Sequence, residues 1–209
     1  MNARTHRAAR MCARGLLAAA CIGGALAGPA AARAQTQTQM ASYSIDPTHT
    51  SVGFEVLHFN TSLNRARWGK PEGVIEFDRS GKSGRVDIRI DMNGVNSGVP
   101  RFDGFLRGKD FFDVEHFPSA RFVGERFVFS GDKLSEVQGA LTLMGRTHPL
   151  VLKAVQFNCY VSPLFKREVC GGDFEGTVQR SLYGISYGLP AIAPDHVRLW
   201  VQVEAIKLP

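Results

Sequence analysis

The chain has 209 residues, 25 basic and 19 acidic, with four cysteines and 14 phenylalanines. Five of the basic residues and none of the acidic ones fall in residues 1–34, so the remainder carries 20 basic against 19 acidic residues, a net of +1. That balance excludes the charge footprint of a nucleic-acid-binding or polybasic membrane-surface protein, and the remaining length suits one domain with a sizeable core.

Residues 1–34 read as a secretory signal peptide, which implies a periplasmic destination. Arg4, Arg7, Arg10 and Arg14 precede an apolar run from Leu16 to about Ala27, too short for a membrane span. Ala32-Arg33-Ala34 then supplies a small-x-small cleavage site. A lipoprotein reading through Cys21 is weaker, because Ala18 rather than Leu stands three positions before it. Residues 35–42, opening QTQTQMA, are expected to be a flexible terminus. Residues 43–209 are expected to form a single domain.

From Tyr43 onward period-two alternation dominates. TSVGFEVLHF puts Val52, Phe54, Val56 and His58 on one face. RVDIRIDM puts Val86, Ile88, Ile90 and Met92 opposite Arg85, Asp87, Arg89 and Asp91. VRLWVQVEA puts Val197, Leu199, Val201, Val203 and Ala205 opposite Arg198, Trp200, Gln202 and Glu204. These patterns predict antiparallel strands with one wet and one dry side. Further strands are expected near 73–78, 119–130, 134–144, 149–159 and 172–183. In GALTLMGRTHPLVL, Met144-Gly145-Arg146 separates two apolar strands, and Pro149 is unfit for a central ladder position. Gly171-Gly172 reads as a turn. Residues 98–118 break the alternation; Phe102, Phe105 and Leu106 share one side of a short helix expected near 101–112.

The fold class is therefore all-β, a sandwich or an antiparallel barrel with one short helix. A barrel of about eight strands is the size at which the interior either fills with side chains or holds one ligand. The phenylalanine content suits a bulky core, or an elongated apolar tunnel. Tunnel lining is expected from Phe54, Val56, Phe77, Ile88, Phe122 and Leu141, with Phe102, Phe105 and Leu106 as the inner face of a helical lid. His58, on a dry face, reads as a satisfied interior histidine or as a polar contact to a ligand head group at the barrel mouth. Trp68 reads as core or as a platform for ligand. Cys159 and Cys170 are the only cysteines beyond the signal; export predicts that they pair. The alternative, a redox-active pair, lacks Cys-x-x-Cys spacing. No histidine pair has metal-ligand spacing, and no nucleotide or phosphate motif is present, so no metal or cofactor is expected.

Three stretches in register, YSIDPTHTSVGFEVLHF, KDFFDVEHFPSARF and GALTLMGRTHPLVL, resemble the YceI-like family of exported bacterial proteins, over nearly all of the chain from Tyr43. CGGDFEGTVQRSLYG resembles the subset with a cysteine pair and an Arg-Ser-Asp-Phe-Gly run. The resemblance implies a lipocalin-like barrel with an extended apolar pocket for a polyisoprenoid or other long-chain lipid. His49 and His58 match histidines of the family's first strand, and Ser181 its Arg-Ser segment, with Leu182-Tyr183 in place of Asp-Phe. Phe102-Asp103-Gly104-Phe105-Leu106 stands where Arg-Asp-x-His-Leu is usual, and Ala66-Arg67-Trp68 where Gly-x-Phe is common. A cation and an imidazole have become two phenyl rings, which makes the pocket mouth more apolar.

The function expected is non-catalytic carriage, storage or sequestration of a long-chain lipid in the periplasm, with no nucleic acid, no membrane span, and the possibility of a homodimer open. The alternatives are an enzyme acting on a lipid-like substrate through a histidine base, and a stress-related interaction module whose barrel is filled. A His58 isolated from any carboxylate or hydroxyl would count against the first, and an open tunnel would separate the carrier from the second.

Overall fold

The computed structural model describes residues 40–209; the signal-peptide reading of residues 1–34 and most of the 35–42 segment lie outside them. Ten strands follow in chain order: β1 (Ala41–Ile45), β2 (Ser51–His58), β3 (Ser62–Arg67), β4 (Pro71–Asp78), β5 (Ser83–Asp91), β6 (Ser119–Ser130), β7 (Lys133–Leu143), β8 (Arg146–Val161), β9 (Glu168–Gln179) and β10 (His196–Lys207). One helix, α1 (Pro100–Arg107), lies between β5 and β6, and a 3-10 turn, Arg180–Tyr183, follows β9. The first strand begins at Ala41, so Ala41 and Ser42 belong to the sheet rather than to a flexible terminus.

All pairings are antiparallel, and β10 returns to β1 to close the sheet. One edge of β10 takes β1 along Ala205–Lys207 and β2 along Arg198–Gln202. On their far sides β1 pairs with β4 and β2 with β3. Thus β1 and β2 are one stave interrupted by the turn at 46–50, and β3 and β4 another interrupted at 68–70. The result is a closed eight-stave barrel in sequence order, and closure removes the exposed edge of an open sheet.

The alternation predicted for β5 and β10 is what the barrel uses. Ile90 is buried while Arg89 is exposed, and Asp87 on the outer face accepts a hydrogen bond from Arg121 Nε at 2.7 Å. On the outer face of β2, Glu55 accepts from Arg65 Nε (2.9 Å) and Arg198 Nη1 (2.6 Å), and Arg198 also pairs with Glu175. The Met144-Gly145 link has φ of 49° and 70°, the left-handed pair that a two-residue hairpin turn between twisted strands requires. Pro149 does lie within β8, opposite Ala140 of β7. The β8–β9 ladder begins only at Lys153, so the missing N–H interrupts no hydrogen bond there.

Two expectations are corrected. Gly171-Gly172 is no turn: it sits inside β9, paired with Asn158-Phe157 on one side and Glu204-Val203 on the other. A Cβ on Gly171 would lie 2.2 Å from the Val203 carbonyl oxygen, and one on Gly172 2.1 Å from that of Gln156, so close strand approach, not chain reversal, selects glycine. The helix is shorter than expected. It stops at Arg107 because Gly108 turns extended (φ −70°, ψ 169°), and residues 109–117 continue as turns around Asp113 at φ 42°.

Candidate functional site: an apolar two-chamber barrel

The inward faces of the staves enclose an inner chamber of about 120 Å³ lined by Phe77, Ile88, Phe122, Leu141 and Phe157 among others. Its wall is almost wholly apolar; the Thr50 hydroxyl is used by the Glu204 carbonyl oxygen at 3.1 Å. The floor is aromatic. Phe77 packs on Phe127, Phe129 and Phe157 with ring centroids 5.6–6.3 Å apart. Tyr43 closes that end, its hydroxyl donating to Glu168 Oε1 at 2.6 Å; burial, then this carboxylate, hold the phenol well above its ordinary pKa.

Beyond β4 the β2–β3 hairpin leaves the ring, because β4 meets β5 only as far as Pro71–Ile90. The flare holds an outer chamber of about 300 Å³. Phe54, Val56 and His58 line it from β2, and Phe102, Phe105 and Leu106 from α1. The helix is held over this mouth by a bridge between Arg67 and Asn96, and by buried Asp103, whose Oδ1 accepts from Ser97 N (2.6 Å) and Ser97 Oγ (2.5 Å). Those two hydrogen bonds keep the Asp103 carboxyl below its ordinary pKa.

The lid residues do not share one environment. Leu106 is 2% exposed, whereas Phe105 is 42% exposed and packs at the rim against Phe111 (tilted) and Tyr187 (edge to face) at centroid distances of 4.8 and 5.3 Å. The interior space lies in two adjoining apolar chambers that share Trp68 and Leu199 in their walls. At that junction Phe54, Trp68 and Phe112 form an aromatic triangle with centroids 5.7–6.2 Å apart.

One wall of the outer chamber was not anticipated. Residues 184–195 supply Ile185, Tyr187 and Ile192. They are pinned by Arg180, itself only 7% exposed, which donates through Nε to Pro194 O (3.0 Å), through Nη1 to Tyr187 O (2.9 Å) and Ile185 O (3.4 Å), and through Nη2 to Ala193 O (3.1 Å). Burial pushes the Arg180 pKa down and Asp195 opposes that. The available signal in ISYGLPAIAP was its apolar content without strand or helix period, which periodicity counting discards.

Polar groups near the chambers are few. The His58 ring lies edge-on to Phe59 at 4.7 Å, and no hydrogen bond from it to another side chain is found among the described residues. His49 stands outside, in the turn before β2, with Nδ1 2.9 Å from Asp46 Oδ2. Ser181 Oγ donates to Asp195 Oδ2 at 2.7 Å. Two buried donors, Trp68 Nε1 and the Tyr183 hydroxyl, have no hydrogen-bond partner among the described residues. Cys159 and Cys170 form a disulfide across paired positions of β8 and β9, with Cα atoms 4.1 Å apart. With Glu168 they are a possible group of metal donors, but both sulfurs are committed to each other.

A family profile described as a YceI-like domain matches residues 43–205. The chain belongs to the YceI-like family. Among curated relatives, a UPF0312 protein of Vibrio cholerae is 30% identical over 174 residues, covering 80% of this chain and 88% of that protein. A UPF0312 protein of Shewanella denitrificans is 34% identical over 122 residues, 57% of this chain and 64% of that one. Among solved structures, BcnA of Burkholderia cenocepacia is similar with a TM-score of 0.64 at 20% identity, covering 77% of this chain and 98% of that one. A polyisoprenoid binding domain from Saccharophagus degradans is similar with a TM-score of 0.55 at 16% identity, covering 81% and 99%. These structures share the fold of this YceI-like barrel. Among the described residues no helix is long and apolar enough to cross a membrane.

Proposed function

We propose that this YceI-like protein binds a long apolar lipid of the polyisoprenoid class, chain inward, as a periplasmic carrier or store. The observation that carries the reading is the pair of adjoining apolar chambers, closed below by Tyr43 and the Phe77 cluster and flared above under α1. Burial is the driving force, at about 0.8 kcal/mol for each methylene hidden from water. The polyisoprenoid binding domain of S. degradans, on a similar barrel, supports that ligand class. The open interior counts against the filled-barrel alternative. The enzyme alternative draws no support from His58, which lacks an orienting carboxylate, or from Ser181, whose hydroxyl faces Asp195 with no base between.

The test is native mass spectrometry of protein exported from its own signal, followed by organic extraction of what co-purifies. A long-chain lipid released in near-stoichiometric amount is the expected result. Empty protein that also fails to take up added polyprenol would defeat the carrier reading.

A further inference from the structure

Closure protects the sheet edges except at the floor end, where β8 outruns its neighbour. The β7–β8 ladder stops at Glu136–Lys153, while β8 runs on beside β9 to Val161–Glu168. Beyond Lys153, β8 therefore has no paired strand on its other side among the described residues. Pairing geometry fixes which backbone groups face that open side. Narrow antiparallel pairs, with Cα atoms about 4.5 Å apart, point their N–H and C=O groups away from each other, whereas wide pairs, at about 5.5 Å, exchange them. Cys159 and Cys170 have Cα atoms 4.1 Å apart and so form a narrow pair. In the same phase, Ser162 N donates across the hairpin to Arg167 O. Asn158, Tyr160 and Ser162 thus bond toward β9, and Phe157, Cys159 and Val161 present their N–H and C=O groups to the open edge.

Natural sheet edges are guarded by charge, proline or a bulge. The edge of β3, which meets only β2 and the Arg67–Asn96 bridge, carries Arg65 and Arg67. The β8 edge has no such guard. Residues 154–165, AVQFNCYVSPLF, hold no charge; the register shift lies before Phe157, and Pro163 lies past the strand. Val161 is 72% exposed and Leu164 79%. We infer that this edge is a self-pairing surface, on which β8 of a second copy of this chain lies antiparallel about a two-fold axis at Cys159. Phe157 then exchanges backbone hydrogen bonds with Val161 of the second copy, Cys159 with its own counterpart, and Asn158 stands beside Tyr160 of the second copy. A second copy suits the edge because it brings an equally uncharged strand; a charged foreign strand would meet no counter-charge. The disulfide braces the hairpin, so little order remains to be gained on pairing. The outer chamber opens at the other end of the barrel, so both mouths stay free and the inference stands apart from the carrier reading.

The test is light scattering on exported protein separated by size, loaded from about 1 to 200 μM, the range suited to a small interface. Wild type should pass from monomer to dimer. Val161→Lys puts a charge on the edge at an exposed position and should stay monomeric throughout, with a thermal midpoint within about 3 °C of monomeric wild type. Val74→Lys, exposed on β4, should dimerise as wild type does. Residue-resolved hydrogen exchange of wild type, labelled at both ends of that range, needs no variant. The amides of Phe157, Cys159 and Val161 should slow at least about fivefold at the high end, while those of Asn158 and Tyr160, already bonded to β9, should change little. Wild type that remains monomeric overturns the inference. So does a dimer that survives Val161→Lys, or one in which the Phe157 and Cys159 amides exchange as they do in the monomer.

Discussion

At the scale of single residues, the turn at Asp46 shows how a polar cluster fixes the break between β1 and β2. Asp46 Oδ1 accepts from Thr48 N (2.8 Å) and Thr48 Oγ1 (2.6 Å), and His49 Nδ1 meets Oδ2. Burial alone would raise the Asp46 pKa, but these hydrogen bonds outweigh it and bring it down from 3.8 to about 2. The same contact raises His49 above its ordinary 6.5. A depressed carboxyl stabilises the fold above its unfolded pKa and loses that contribution as pH falls through the folded value; a raised histidine does so below its unfolded pKa and loses it as pH rises. The pair should therefore contribute most between about pH 4 and 6.5. Asp46→Ala is expected to cost about 1–3 kcal/mol. Thermal unfolding of both proteins from pH 2 to 8 checks this: the gap in midpoint should shrink as pH falls from about 4 to 2, and a pH-independent gap would refute the linkage.

At the scale of elements, the long β8–β9 hairpin and the helix behave differently. The hairpin is tied by Cys159–Cys170, whose sequence separation is 11, so the chain-entropy argument gives about 3 kcal/mol of stabilisation. The Cys159→Ala/Cys170→Ala double variant should lose roughly 5–10 °C in calorimetric midpoint while keeping its barrel spectrum. No loss would mean that the β8–β9 ladder alone suffices. Helix α1 rests on a Ser97–Asp103 clasp and on apolar contacts at the chamber. Phe105→Asp places a carboxylate in the rim cluster with Phe111 and Tyr187. Because Phe105 is partly exposed, folding stability should change by less than about 1 kcal/mol, whereas release of a fluorescent lipid should quicken several-fold. Stopped-flow displacement measures that rate, and an unchanged rate would remove the helix from the exit path.

At the scale of the whole molecule, closure decides what the interior can hold. Eight staves leave an interior that holds at most one ligand, and two adjoining apolar chambers favour a long occupant. Ile88 lines the inner chamber only. Ile88→Trp should therefore fill the deep end and shift preference toward shorter chains. Each methylene excluded costs about 0.8 kcal/mol, so the longest prenols in a series should weaken by roughly 10–100-fold while short ones bind as before. An unchanged length profile in a displacement assay would show that the chain tip never reaches the inner chamber.

Much of this architecture was legible in the residues because period two is a local property. A one-residue slip in RVDIRIDM would bury Asp87 and Arg89, so β5 declares its own inner face, and β10 does the same. The cysteine pair and the hairpin at Met144-Gly145 are equally local. Other features depend on partners distant in sequence. Gly171 and Gly172 look like a turn until β8 on one side and β10 on the other press against them. ISYGLPAIAP has no period at all and becomes a chamber wall only because Arg180 collects its carbonyls. The division into two chambers needs Trp68 to meet Phe54 and Phe112 from three separate segments. The sequence by itself determined which faces are dry; tertiary structure alone decided how those faces close and where the space between them is left, because cavity shape is set by side chains converging from non-adjacent staves.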